Sequence, residues 1–173
     1  QAGVPVFLSD VKGDLSGLAK AGSESGKLHG AFVARNETIN FTNFLYDSFP
    51  VTFWDLFGEQ GHPIRTTVAE MGPLLLSRML QLTDAQEGVI NIAFRVSDEQ
   101  GLPLLDLKDL RKLLAHMSDK EIRDELSKEY GNIASASLGA LQRNLLVMER
   151  EGAEHFFGEP ALELADMMRT TTD

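Results

Sequence analysis

The chain has 173 residues, 43% of them hydrophobic, a formal net charge of −10 and no cysteine. A chain of this length can bury about 70% of its unfolded surface in a single core. Without cysteine, disulfide support and thiolate chemistry are excluded, and a reducing, cytoplasmic setting is favoured. No run approaches the roughly 18–20 consecutive apolar residues of a membrane span, and no secretory signal is present. The acidic balance argues against nucleic acid as a ligand of these residues alone, because most of that affinity comes from neutralising phosphates on a basic face.

Gln1-Ala2-Gly3 opens the chain without an initiator Met, and Gly3 has the place of a residue ending a preceding helix. Arg169–Asp173 closes it without a terminal element, so both ends predict an internal piece of a longer protein. Val4, Val6, Phe7 and Leu8 make an apolar run too short for a helix and rich in strand formers, which predicts a buried strand. It leads into Ser9-Asp10 and then Lys12-Gly13-Asp14, where Gly13 permits a turn and Asp14 can cap a helix over 15–21. A carboxylate, an ammonium and a glycine at the carboxyl end of a strand occupy the edge where open α/β sheets bind ligands, although Asp and Gly there also suit an ordinary turn. After a flexible break at 22–26, Leu28, Phe32 and Val33 predict a helix to about Asn36. Val51-Thr52-Phe53-Trp54 predicts a second strand, ending in Asp55. Two strands with a helix between them suit a parallel βαβ crossover.

Beyond Gly61 the pattern is helical. Leu74, Leu75, Met79 and Leu80 recur at helical spacing after Gly72-Pro73, with Pro73 placed in a first turn. Thr83-Asp-Ala-Gln86 reads as a capping box for a helix apolar on several sides, at Val89, Ile90, Ala93, Phe94 and Val96, hence central. Leu107, Leu110, Leu113, Leu114 and Met117 draw one stripe; Ser118-Asp-Lys-Glu121 reads as a second box, for a helix ending at Gly131. Leu138, Leu141, Leu145 and Met148 stripe a longer helix, and after Gly152 and Phe156-Phe157-Gly158 a short helix carries Leu162, Ala165 and Met168. Both phenylalanines are expected to be buried at a chain reversal.

Ala21-Gly-Ser-Glu-Ser-Gly-Lys-Leu28 nearly spells a phosphate-binding loop, G-x-x-x-x-G-K-[ST]. It has Ala for the first glycine and Leu for the hydroxyl residue, and it follows a helix where the motif needs a strand, so it reads as an ordinary loop. The four histidines lie far apart, with no H-x-x-x-H spacing for a metal. His62 and Arg65 in Gly-His-Pro-Ile-Arg read as a turn with a solvated Arg, and Phe53, Trp54 and Phe57 as core rather than base-stacking rings. Arg143, beside Gln142 on the long helix, suits a surface salt bridge, and His155 and Glu159 are further candidates without a defined partner.

Four stretches, in order, resemble a bacterial family of HerA-like P-loop ATPases, distant relatives of FtsK-type and conjugation-type DNA pumps. They are VPVFLSDVKGDLSGLAKAG, FPVTFWDLFGEQGHPIRTTVAEMGPLLLSRML, EGVINIAFRVSDEQGLPLLDLKDLRKLL and YGNIASASLGALQRNLLVMEREGAEHFFGEPAL, with GHPIRTTV and HFFGEPAL the most specific. The resemblance implies an α/β fragment, mainly helical: a short parallel β pair from a P-loop NTPase core over 1–60, then an all-helical insertion over 61–173. It implies that the family's phosphate loop precedes this stretch and its acidic magnesium and catalytic residues follow it. ATP and Mg²⁺ would then belong to the intact protein and not to this chain alone. Asp10, Lys12, Gly13 and Asp14 match the family's strand-end motif, which lies close to the nucleotide. Ring ATPases recurrently use an Arg that reaches a neighbouring subunit, which brings in Arg143, with His62 and Arg65 as intersubunit or structural residues. The implied partners are further copies in a ring and a translocated polymer, with DNA a candidate that the charge opposes. The rival reading is a helical protein-interaction module without nucleotide binding.

Overall fold

The computed structural model describes residues 3–168. The expectations placed on 1–2 and 169–173 lie outside the described residues. The chain divides into two compact units, one running to Phe53 and taking up the chain again from Met167, the other spanning Trp54–Asp166. No described helix is long and apolar enough to cross a membrane.

In the first unit the regular elements are a 3₁₀ helix, Leu15–Ala19, and α1, His29–Thr38. The strand expected over 4–8 does not form. Val4, Val6, Phe7 and Leu8 are exposed and no ladder partner for them lies among the described residues. A helix satisfies its own backbone, whereas a strand needs a neighbour for its N–H and C=O groups; strand-forming residues without one stay irregular. Gly22 has a specific job here, since a Cβ on it would lie 2.4 Å from Tyr46 Cδ1. The Tyr46 ring therefore lies directly on the glycine backbone, beside Phe44 with ring centroids 4.9 Å apart.

The second unit holds the core, and it is mainly helical with a short parallel pair. That pair is β1, Trp54–Asp55, against β2, His62–Pro63, in the register Trp54↔His62 and Asp55↔Pro63. The expected pairing of 4–8 with 51–54 across a helix is thus replaced by a pairing across the loop 56–61. Parallel neighbours ordinarily need a crossover of a dozen or more residues. This one closes because the strands are two residues each and the Asp55 carboxylate folds the loop around itself. It accepts from the backbone N–H of Phe57 at 3.2 Å, Glu59 at 2.8 Å and Gln60 at 3.0 Å, with Gly58 at φ +67° making the bend.

In α2, Val68–Met79, Thr67 and Glu70 form a reciprocal cap (Glu70 N to Thr67 Oγ1, 3.1 Å; Thr67 N to Glu70 Oε2, 3.4 Å). Gly72 breaks the helix at φ 72° and ψ 164°, so Pro73 stands at the start of its second run, where a missing N–H costs nothing. Of the apolar run read for this helix, Leu74, Leu75 and Met79 are exposed and Leu80 is partly buried, the break at Gly72 having turned Leu76 to the core instead. In α3, Asp84–Gln100, the Gln86 side chain accepts from Thr83 N at 3.1 Å. It buries Val89, Ile90, Ala93, Phe94 and Val96 against α2, α4 (Leu107–Met117) and α6 (Ser135–Met148), which makes it the central helix. All five stripe residues of α4 are buried, as are Leu138, Leu141 and Leu145 of α6. Packing of α4 against α5, Lys120–Tyr130, closes the bundle.

The cap of α5 sits one residue later than the sequence suggests. Asp119 accepts from Glu121 N at 2.9 Å, while the Ser118 hydroxyl turns back to donate to Leu114 O at 2.8 Å. Ser118 thereby closes α4 instead of opening α5. A π-helical turn, Glu149–Ala153, with Gly152 at φ 95°, follows α6 and leads into α7, Glu154–Phe156. A last short helix, α8, is Leu164–Met167.

Candidate functional site

The turn over residues 9–16 is built by one carboxylate. Asp10 Oδ1 accepts from Gly13 N at 2.7 Å and Oδ2 from Leu15 N at 3.0 Å, and the Ser16 hydroxyl donates to Gly13 O at 3.1 Å. Gly13 is at φ +76° with open space where a Cβ would be, so the glycine is required for its backbone angle and not for room. Asp14 was expected to cap the following helix, yet its side chain makes no capping bond. Asp10, further back, reaches over the turn to do so because the chain doubles over at Gly13. Desolvation opposes ionisation of Asp10, but the backbone N–H groups of Leu15, Gly13, Lys12 and Asp14 outweigh it and hold the carboxyl below its ordinary value. Both Asp10 oxygens are thus engaged by the chain's own amides. That arrangement shapes a loop and presents Lys12 and Asp14, both exposed, at its outer edge.

A second constellation sits in the other unit and joins the two most distinctive stretches of the sequence. Residues 62–69 run as one spine. Ile64 N donates to Asp55 O at 3.0 Å; Thr66 N donates to Phe156 O at 3.0 Å and Thr66 O accepts from Gly158 N at 2.9 Å; Ala69 N donates to Leu104 O at 2.9 Å. Leu162 N returns to Arg65 O at 2.8 Å. Gly-His-Pro-Ile-Arg-Thr-Thr-Val and His-Phe-Phe-Gly-Glu-Pro-Ala-Leu are therefore two halves of one junction, with Phe157, 1% exposed, as its apolar plug. Phe156 is partly buried against the same core, so the expected reversal buries one ring fully and the other in part.

Arg65 is not the solvated residue the sequence suggests. Its guanidinium lies on the backbone of Gly158, where a Cβ would fall 2.5 Å from Nη2, and Nη2 donates to Phe157 O at 3.4 Å. Its Nε is buried without a hydrogen-bond partner among the described residues. A residue in the left-handed half of φ space at Gly158, φ +136°, leaves a flat ledge that only an absent side chain provides. His62 is exposed, with its ring centroid 5.5 Å from that of Trp54. Trp54 is half-buried, but Phe53 and Phe57 are exposed and belong to no core; Phe57 lies over Gly152, whose Cβ would meet it at 2.9 Å.

Arg143 is exposed on α6. Among the described residues the ion pairs are Arg95–Glu99 and Arg111–Glu149, so the surface salt bridge expected for Arg143 does not form. Its neighbour Gln142 donates to Ser118 Oγ at 3.4 Å. His155 and Glu159 are exposed, and no hydrogen bond or ion pair among the described residues joins them. No cluster of His, Asp and Glu able to hold a metal ion occurs among the described residues. Two further pairs leave no trace in the sequence pattern. Arg111 Nη1 donates to Glu149 Oε2 at 2.6 Å, and the Tyr130 hydroxyl donates to Glu99. Their partners are too far apart along the chain for any local periodicity to reveal them.

Comparison with known families decides the lineage: the model of the helicase HerA-like C-terminal family matches residues 1–173. The chain belongs to the HerA-like C-terminal family. No curated protein and no solved structure matched it. For this HerA-like chain, the match spans both the Asp10 turn and the Arg65–Gly158 junction.

Proposed function

We propose that the chain is an internal part of a HerA/FtsK-like motor ATPase, with the Asp10–Asp14 turn beside the nucleotide and the helical unit as an insertion. Membership of the HerA-like family across the whole chain carries the reading. The turn supports it chemically: an exposed ammonium on a loop held in shape by a carboxylate suits a phosphate oxygen. Asp10, with both oxygens on backbone amides, is the shaping residue; Lys12 and Asp14 are the groups free to face a ligand. ATP and Mg²⁺ would be bound mainly by the family's phosphate loop and acidic residues elsewhere in the intact protein, which would act as a ring of copies. Neither the Asp10 turn nor the helical unit offers a metal-ligand cluster of its own.

DNA as the translocated polymer is opposed by the net charge of −10, unless other parts of the protein supply the basic face. One observation favours the second reading, a helical protein-interaction module: the buried core lies entirely within Trp54–Asp166, so that unit has the makings of a self-sufficient scaffold.

The test is ATP turnover by the intact protein carrying Lys12→Ala or Asp14→Ala. Neither side chain makes a hydrogen bond or ion pair among the described residues, so folding should be untouched and turnover should fall at least about tenfold, as for other charged groups placed at a phosphate. Unchanged turnover returns the turn to a structural role. Absence of any nucleotide binding by the intact protein supports the interaction module instead.

A further inference from the structure

The first unit contains an open hollow of about 600 Å³ beside α1, its lining residues exposed or at most half-buried, that the nucleotide reading does not use. One wall is aromatic, made by Phe41, Phe44 and Tyr46; the polar groups on it include Glu24, Glu37 and Asn36. The wall is held in place from behind. Tyr46 donates to or accepts from His29 Nδ1 at 2.9 Å, stacks edge-on with Phe44, and rests on Gly22, where no Cβ fits. Asn40, also on the lining, is the left-handed residue that closes α1, at φ +53°, with its N–H donating to Glu37 O at 3.2 Å and Phe41 N to Asn36 O at 2.9 Å.

The charge of the hollow is mainly acidic. No Lys or Arg lines it, His29 does, Lys27 lines the adjoining hollow beside Tyr46, and Glu24 and Glu37 form no ion pair among the described residues. The carboxyl end of α1, where Asn36 and Glu37 lie, adds the negative end of the helix dipole. Aromatic faces attract a cation through the ring quadrupole and also cover alkyl groups, whereas a bare inorganic ion gains nothing from the second property. A volume of this size is within the range of small-molecule sites.

The geometry points to a binding site for a small organic ammonium ion, its alkylated nitrogen against Tyr46 and Phe44 and its charge toward Glu24 and Glu37. The assignment is independent of any nucleotide chemistry.

The probe is choline, titrated into the full chain at fixed ionic strength and followed by calorimetry and by the aromatic proton resonances of Tyr46. Saturable one-to-one binding is expected. It should weaken about tenfold in Glu24→Gln/Glu37→Gln, since two unpaired carboxylates beside a cation each contribute a few-fold. Neither carboxylate makes a hydrogen bond or ion pair among the described residues, so the fold tolerates the change. The control, Asp124→Asn/Glu125→Gln on the exposed face of α5, removes the same charge from the other unit and should leave binding unchanged. Three results would each overturn the site: no saturable binding, equal weakening in both double variants, or displacement of choline by potassium at equal concentration. The last two would reduce it to counterion attraction by an acidic protein.

Discussion

Gly158→Ala tests whether the Arg65–Gly158 junction holds the helical unit together. The new methyl would fall 2.5 Å from Arg65 Nη2 and 3.4 Å from Cζ, so the guanidinium must leave its ledge. The end of an arginine is flexible and the displacement alone is cheap, but it forfeits the bond from Nη2 to Phe157 O, about 1 kcal/mol at this length. The larger part is the backbone. An L side chain at φ +136° costs about 1–3 kcal/mol wherever the chain cannot relax, and here Gly158 N is tied to Thr66 O. The total is about 2–4 kcal/mol, which for a urea slope of about 1–3 kcal/mol/M moves the midpoint down by roughly 0.7–4 M. Urea denaturation followed by helical circular dichroism and by the fluorescence of Trp54 gives the number. A double-mutant cycle with Arg65→Ala separates the two parts: in that background the contact loss disappears and the φ penalty remains. A Gly158→Ala variant within about 0.5 kcal/mol of the parent would refute the reasoning, that being the size of an ordinary surface change. Purely additive variants would refute the contact between the two residues while leaving the backbone argument in place.

Three other outcomes follow from the same geometry. The backbone amides of Gln60, Phe57 and Glu59 hold Asp55 below its ordinary value of 3.8; the stability this confers is present above that value and is lost as pH falls through the lower, folded-state one. The amide resonances of those three residues should therefore titrate together below pH 3.8 and stay flat in Asp55→Asn. Tyr130, hydrogen-bonded to Glu99, is pushed up to about 12, so its contribution is present below the unfolded value near 10.0 and disappears as pH rises through about 12. Absorbance titration at alkaline pH should show one late tyrosine, restored toward 10.0 by Glu99→Gln. Leu114→Ala, at a fully buried position on α4, should cost about 2–5 kcal/mol in urea denaturation, whereas Leu75→Ala on the exposed face of α2 should stay within about 0.5 kcal/mol.

The central helices α3 and α4 were legible residue by residue. Leu107, Leu110, Leu113, Leu114 and Met117 announce a buried stripe because five apolar side chains at that spacing can share only one face of a helix. Thr83 and Gln86 announce its neighbour's start because the bond from Thr83 N to the Gln86 side chain closes within three residues. Asp10 and Asp14 were legible as residues of a turn, but not their division of labour, since two carboxylates four apart compete for the same amides and the path of the chain at Gly13 selects between them.

Everything that joins distant residues was decided by the fold. Val4–Leu8 has the composition of a strand and is not one, because a ladder depends on a second segment, which local sequence does not specify. Trp54 pairs with His62 and not with the first apolar run because Asp55 can turn the intervening loop unaided. Arg65 reads as solvated until Gly158, far along the chain, provides the ledge on which it lies. The physical division is between hydrogen bonds and contacts that close within a few residues, which composition and spacing determine, and those whose partner is brought up only when the core of α2, α3, α4 and α6 has packed.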